Sequence, residues 1–167
     1  MRVEHINPFI VALTQVFEST VGITPSRSNL GIKEGNVPTH DISAIIGLSG
    51  NAFGSVVLSF PQRTAQRVVS AMVGEDNPSR DHIADGVGEL VNMVAGMAKG
   101  LLADSGLKTY IAIPRVIFGL GHFIHRPKGV TCVQVQFETD LGGLALEVAL
   151  NIHKETSAIS SATQLSN

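Results

Sequence analysis

Apolar residues along this 167-residue chain follow a helical spacing, then strict alternation, then a helical spacing again, and alternation once more towards the C-terminus. Asn7-Pro8 is a suitable helix start, because asparagine can cap a first turn and proline is favoured at its first position. Phe9, Ile10, Leu13, Val16 and Phe17 then form an apolar stripe up to Gly22. Residues 23 to 40 are polar and irregular, which predicts a loop carrying at most one short strand. From Ile42 to Gln62 no residue is charged, a length that could span a bilayer. Ser49-Gly50-Asn51-Ala52 divides that run into two alternating arms, so a β-hairpin is the prediction. In its second arm Gly54, Val56, Leu58 and Phe60 face one way, and Ser55, Val57 and Ser59 the other.

Pro61 opens a second helix through Ala65, Val68, Val69 and Met72, ending at Gly74. Glu75 to Ser79 is a linker, and a third helix runs from near Ser79 or Asp81 to about Ala103, with Gly106 as its C-cap. Ile111 to Phe118 then reads as a strand with an edge or bulge near Pro114, and residues 121 to 126 are expected to continue the sheet. Thr131, Val133, Val135 and Phe137 alternate with Cys132, Gln134 and Gln136. Leu144, Leu146, Val148 and Leu150 alternate with Ala145, Glu147 and Ala149, after a turn at Asp140 to Gly143. The order of elements predicts an α+β fold: a mainly antiparallel, one-sided sheet whose apolar face is covered by helices. Residues 1–153 are expected to form one domain, and 154–167, rich in Ser, Thr and Ala, a disordered tail. The strands at Thr131 to Phe137 and Leu144 to Leu150 carry almost no charge, only Glu147, and free edges are normally guarded by charge or proline. This predicts a homodimer with a strand edge covered by the partner subunit.

The third helix carries the candidate chemistry. Asp85, Glu89, Asn92, Gly96 and Lys99 recur at intervals of four and three, which is one helix face. Ile83, Val87, Leu90, Val94, Met97 and Leu101 follow the same spacing on roughly the opposite face. A carboxylate and a carboxamide therefore stand together on an exposed face, with Gly88 and Gly96 on either side. Glycine inside a helix costs about 1 kcal/mol against alanine, so each calls for a reason, either internal packing or close approach of a partner.

Composition removes several function classes. A net charge of −2, no Trp and a single Tyr argue against nucleic-acid or anionic-lipid binding. Met1 to Pro8 hold no apolar stretch of secretory type, and Cys132 has no second cysteine to pair with, so a cytoplasmic protein is expected. His122 and His125 lack an accompanying ligand pattern, and no metal site is predicted. Gly119-Leu-Gly121 is followed by no helix and so is not a dinucleotide loop.

The segment Asp85-Gly-Val-Gly-Glu89-Leu-Val-Asn92-Met-Val-Ala-Gly96 resembles the CheC/CheX/FliY family of chemotaxis response-regulator phosphatases, whose signature is an acidic residue followed by Glu-x-x-Asn on a long exposed helix. Ile6-Asn7-Pro8-Phe9, Gly119-Leu-Gly121-His122, Phe137-Glu-Thr139-Asp-Leu-Gly142 and Leu146-Glu147-Val148-Ala-Leu150 resemble the CheX branch, and the likeness spans about residues 5 to 152. The first helix has no Glu-x-x-Asn, which is similar to the single-site, typically homodimeric, CheX type. The resemblance implies removal of phosphate from the aspartyl phosphate of a CheY-like receiver domain. It implies Asn92 orienting the attacking water and Glu89 pairing with a receiver lysine, with no cofactor of its own and Mg²⁺ supplied by the receiver. Asp85, Gly88, Gly96 and Lys99 are candidate partner-binding residues, and Asp85 is equally readable as an acid supporting the helix start. The alternative is a non-catalytic receiver-binding or adaptor module of the same fold.

Overall fold

The computed structural model describes residues 3–34, 40–126 and 129–153, so the predicted tail lies outside the described residues. The elements are α1 (Asn7–Val16), prolonged by a wider helical turn at Phe17–Val21, β1 (Ser26–Ile32), β2 (Ile42–Gly50), β3 (Ala52–Phe60), α2 (Gln62–Val73), α3 (Arg80–Asp104), β4 (Thr109–Ile111), β5 (Arg115–Phe118), β6 (Cys132–Glu138) and β7 (Leu144–Ile152). Ile6 rather than Asn7 takes the cap position of α1, with no side chain capping it, and Pro8 sits in the first turn, where a missing N–H breaks no bond.

The strands form one antiparallel sheet in the order β1-β6-β7-β3-β2, with β4 and β5 both beside β2. Both predicted hairpins are present. The predicted Ile111 to Phe118 strand is broken at Ala112 to Pro114, as a residue without an N–H requires. The three helices cover one face. Phe9, Leu13 and Phe17 of α1, Val68 and Val69 of α2, and Val87, Leu90 and Val94 of α3 meet Ile46, Leu58, Phe137 and Leu146 of the sheet, all wholly buried. Removing such side chains from water stabilises by about 1.5–3 kcal/mol each.

Four expectations are revised. The one short strand allowed within residues 23 to 40 is a full seven-residue edge strand, Ser26–Ile32, paired with β6; all seven residues are exposed, so no alternation marks it and only the pairing creates it. Residues 121 to 126 do not continue the sheet. They lie against its second face, where Arg126 pairs with Glu147, and His122 Nε2 sits 2.8 Å from Ser43 Oγ. The sheet is therefore not one-sided: Val57, Ser59 and Glu147 on that face are 0% exposed. Last, β6 and β7 are interior strands, so the edges are β1 on one side and β4 with β5 on the other.

Candidate functional site

Helix α3 is held firmly at both ends. Ser79 Oγ accepts a hydrogen bond from the His82 N–H at 3.2 Å, and Asp81 adds negative charge to the first turn. At the other end Gly106 adopts φ 80°, Leu107 N–H donates to Leu102 O and Gly106 N–H to Ala103 O, a Schellman arrangement that only a left-handed residue completes. Between these ends the helix is buried on the side facing α1, α2 and the sheet and open on the other.

The buried stripe is not the one the spacing predicts. Ile83, Val87, Leu90 and Val94 are buried, but Met97 is 37% exposed and Leu101 only half-buried, and Ala98 and Leu102 take the core positions. Alternating steps of four and three have a period of 3.5, which slips about 20° per heptad against a real helix. The polar stripe slips likewise: Asp85, Glu89 and Lys99 are exposed, whereas Asn92 and Gly96 are half-buried.

The glycines separate by neighbour. A Cβ on Gly96 would meet nothing within 4 Å, and one on Gly88 would stand 3.5 Å from Val116 Cγ2, an ordinary contact. A Cβ on Gly86 would stand 2.6 Å from Val69 Cγ2. Close helix packing thus depends on Gly86, which spacing did not single out, and neither Gly88 nor Gly96 is required by the interior.

Asp85 and Glu89 line one wall of a shallow groove of about 440 Å³, with Ala84 and Gly88; Pro114 and Val116 form the other wall. Neither Glu89 nor Asn92 has a side-chain hydrogen bond or ion pair among the described residues. Their donors and acceptors are therefore available to something outside the chain. Lys99 lies 14 positions, about 21 Å along the helix, from Asp85, with its Nζ 5.9 Å from the centre of the Tyr110 ring. The five stripe residues span the helix, with Asp85, Glu89 and Lys99 exposed and Asn92 and Gly96 half-buried, and of the five only Asp85 and Glu89 line the groove.

Other polar groups are engaged elsewhere. A cavity of about 430 Å³ at the starts of α2 and α3 is lined by Asp41, Gln62, Arg80 and Phe118 among others. Its charges are already used: Asp41 Oδ2 accepts from the Gln62 N–H at 3.0 Å, and the Arg80 guanidinium lies 4.6 Å over the Phe118 ring. His122 Nδ1 is 2.7 Å from Gly119 O within the 119–126 segment, and its Nε2, beside Ser43 Oγ, ties that segment to the sheet. Glu147, wholly buried, pairs with Lys33 and Arg126 and accepts from Gln134 Nε2 at 3.4 Å. Beside this cluster burial pushes the Cys132 thiol up to about 11, and burial lowers His40 against the opposing pull of Asp41 and Glu147. The sequence offered one sign of the cluster, a lone charge in the apolar run of β7.

Residues 42–138 match the family model of the chemotaxis phosphatase CheX. The chain belongs to the CheX family. It is 31% identical over 121 residues to the CheY-P phosphatase CheX of Thermotoga maritima, a match covering 71% of this chain and 78% of that protein. The fold is similar to the crystal structure of the chemotaxis protein CheX from Desulfovibrio desulfuricans, with a TM-score of 0.83 and 33% identity over 89% of this chain and 100% of that one. It is also similar to CheX in the CheX–CheY–BeF3–Mg²⁺ complex from Borrelia burgdorferi, with a TM-score of 0.75 over 90% and 99% of the two chains; at 23% identity this likeness concerns the fold. No helix among the described residues is long and apolar enough to cross a membrane.

Proposed function

We propose that this protein is a phosphatase that hydrolyses the aspartyl phosphate of a CheY-like receiver domain in chemotaxis signalling, with Glu89 and Asn92 as its catalytic pair. The observation that carries the proposal is a carboxylate and a carboxamide, three residues apart on an exposed helix face and without internal partners, in a chain of the CheX family. Its 31% identical relative is a CheY-P phosphatase.

An aspartyl phosphate is an acyl phosphate and already labile. The phosphatase has mainly to place a water in line with the scissile bond. Asn92 offers a donor and an acceptor on one amide, enough to hold and aim that water. The water oxygen bonds to phosphorus, the P–O bond to the aspartate breaks, and inorganic phosphate and a carboxylate leave. Glu89, a turn earlier on the same face, pairs with the receiver's lysine and sets the register of docking. The Mg²⁺ needed to neutralise the phosphoryl oxygens is held by the receiver and is part of the substrate. Asp85, Gly88, Gly96 and Lys99 serve docking, Gly88 and Gly96 by leaving space where a side chain would stand. Residues 1–153 are the working unit, in the cytoplasm, where receivers are found.

The protein acts as a homodimer joined through β1. That strand exposes Leu30 and Ile32, 46% and 67%, along an unpaired edge. The opposite edge holds β5, whose Val116 lines the groove, so pairing there would cover the site, whereas pairing through β1 leaves it open. Sedimentation equilibrium over a dilution series tests the dimer; a monomer at micromolar concentration overturns it.

The test of the function is release of inorganic phosphate from phosphorylated receivers of the same cell. Turnover well beyond stoichiometric amounts supports the phosphatase. Tight binding without release would instead select a receiver-binding adaptor.

A further inference from the structure

We propose that the groove between α3 and the β4–β5 break selects the receiver. The receiver's apolar surface rests on the outer rim of the groove, at Pro114 and the adjoining exposed Ile113, with the exposed Tyr110 further along the same flank. The inference rests on the function proposed above and adds the recognition element of the same site.

Size is the first reason. A specific interface buries roughly 800 Å² on each partner, and the few side chains of the exposed α3 face supply only part of that. A receiver whose phosphate reaches Asn92 must also cover a neighbouring element. Besides α2, which meets α3 at Gly86 through Val69, the neighbours are α1 and the β4–β5 segment. The exposed residues of the helical segment at α1 include Gln15, Glu18 and Ser19, and its one large exposed apolar side chain is Val11, 41% exposed. On the β4–β5 flank Tyr110 is 63% and Ile113 87% exposed. Binding energy concentrates in aromatic and apolar anchors surrounded by polar contacts, and these belong to the second flank.

Geometry is the second reason. Pro114 ends the pairing of β4 with β2, and the chain resumes pairing only at Arg115. The break lifts Ile113 clear of the sheet while leaving Val116 against the helix at Gly88. The groove is continuous with Asp85 and Glu89, so one docking event covers it and brings the phosphate to Asn92.

The experiment measures kcat and KM for phosphate release from the phosphorylated receiver, with binding of the receiver–BeF3 complex as an independent readout. Ile113→Asp should raise KM and weaken binding by about tenfold or more, with kcat within about twofold. Val73→Asp, at an exposed valine of α2 outside the groove, should change neither. Asn92→Ala should lower kcat with binding retained. An active wild type whose KM and binding are unmoved by Ile113→Asp overturns the groove while leaving the phosphatase standing. A wild type that neither binds nor turns over any receiver overturns the functional reading, and the groove with it.

Discussion

Lys33 and Glu147 form an ion pair out of reach of water, with the carboxylate side chain 0% and the ammonium side chain 3% exposed. The pair, joined by Arg126, fastens two irregular segments to the second face of the sheet. Removing Glu147 leaves two cations facing each other in a poorly solvated place. Glu147→Ala should therefore destabilise by about 3–5 kcal/mol, read as a fall in the urea midpoint. A loss below about 1 kcal/mol would show that the segments relax into water instead.

Asn92→Ala should leave the fold intact and remove the activity. The residue lies outside the core and makes no internal side-chain bond, so stability should change by about 0.5 kcal/mol or less. Loss of a group that positions the water should lower kcat by about 100-fold or more. Near-normal turnover in the folded variant would refute the mechanism. Glu89→Gln keeps shape and removes charge, and should weaken receiver binding; unchanged affinity and rate would remove the lysine pairing.

Gly86 and Gly96 should respond in opposite ways to the same methyl group. Val69, wholly buried, cannot yield to a Cβ at 86, so Gly86→Ala should cost about 1–3 kcal/mol despite the better helix propensity. Gly96→Ala meets nothing and should gain up to about 1 kcal/mol while weakening receiver binding. Thermal melts of both variants and a binding titration of the second decide each point. Equal melting temperatures for the two would dismiss the packing role of Gly86.

The lowered His40 gives a pH dependence of known sign. Its folded pKa lies below the ordinary 6.5, because burial disfavours the imidazolium. Between the two values the unfolded chain binds the extra proton and the folded one does not. The contribution is complete above about pH 6.5 and is lost as pH falls through the folded value. Melting temperatures from pH 8 to 5 should fall less in His40→Gln than in the wild type; parallel profiles would exclude the residue.

Cys132 should be silent towards thiol reagents in the native protein. With its thiol at about 11 and buried, almost no thiolate forms at pH 8. An aromatic disulfide reagent should release about one equivalent of its chromophore only after denaturant is added. Rapid native labelling would show that the second face of the sheet opens.

By itself the sequence determined what repeats at a short interval. Helical spacing marked α2 and α3, alternation marked β2, β3, β6 and β7, and Glu89 and Asn92 were legible because three residues on a helix amount to one face. The family was readable for the same reason, since its signature is a local spacing. Only the tertiary structure decided the rest. Strand β1 has water on both faces and exists because β6 offers it a ladder. Gly86 differs from Gly88 and Gly96 only through Val69, 17 positions away. The groove brings residue 85 to residue 116, and the buried cluster brings Lys33 and Arg126 to Glu147. Such contacts join residues far apart in the chain, and no local period records them, because they form only when hydrophobic burial closes the sheet under its helices.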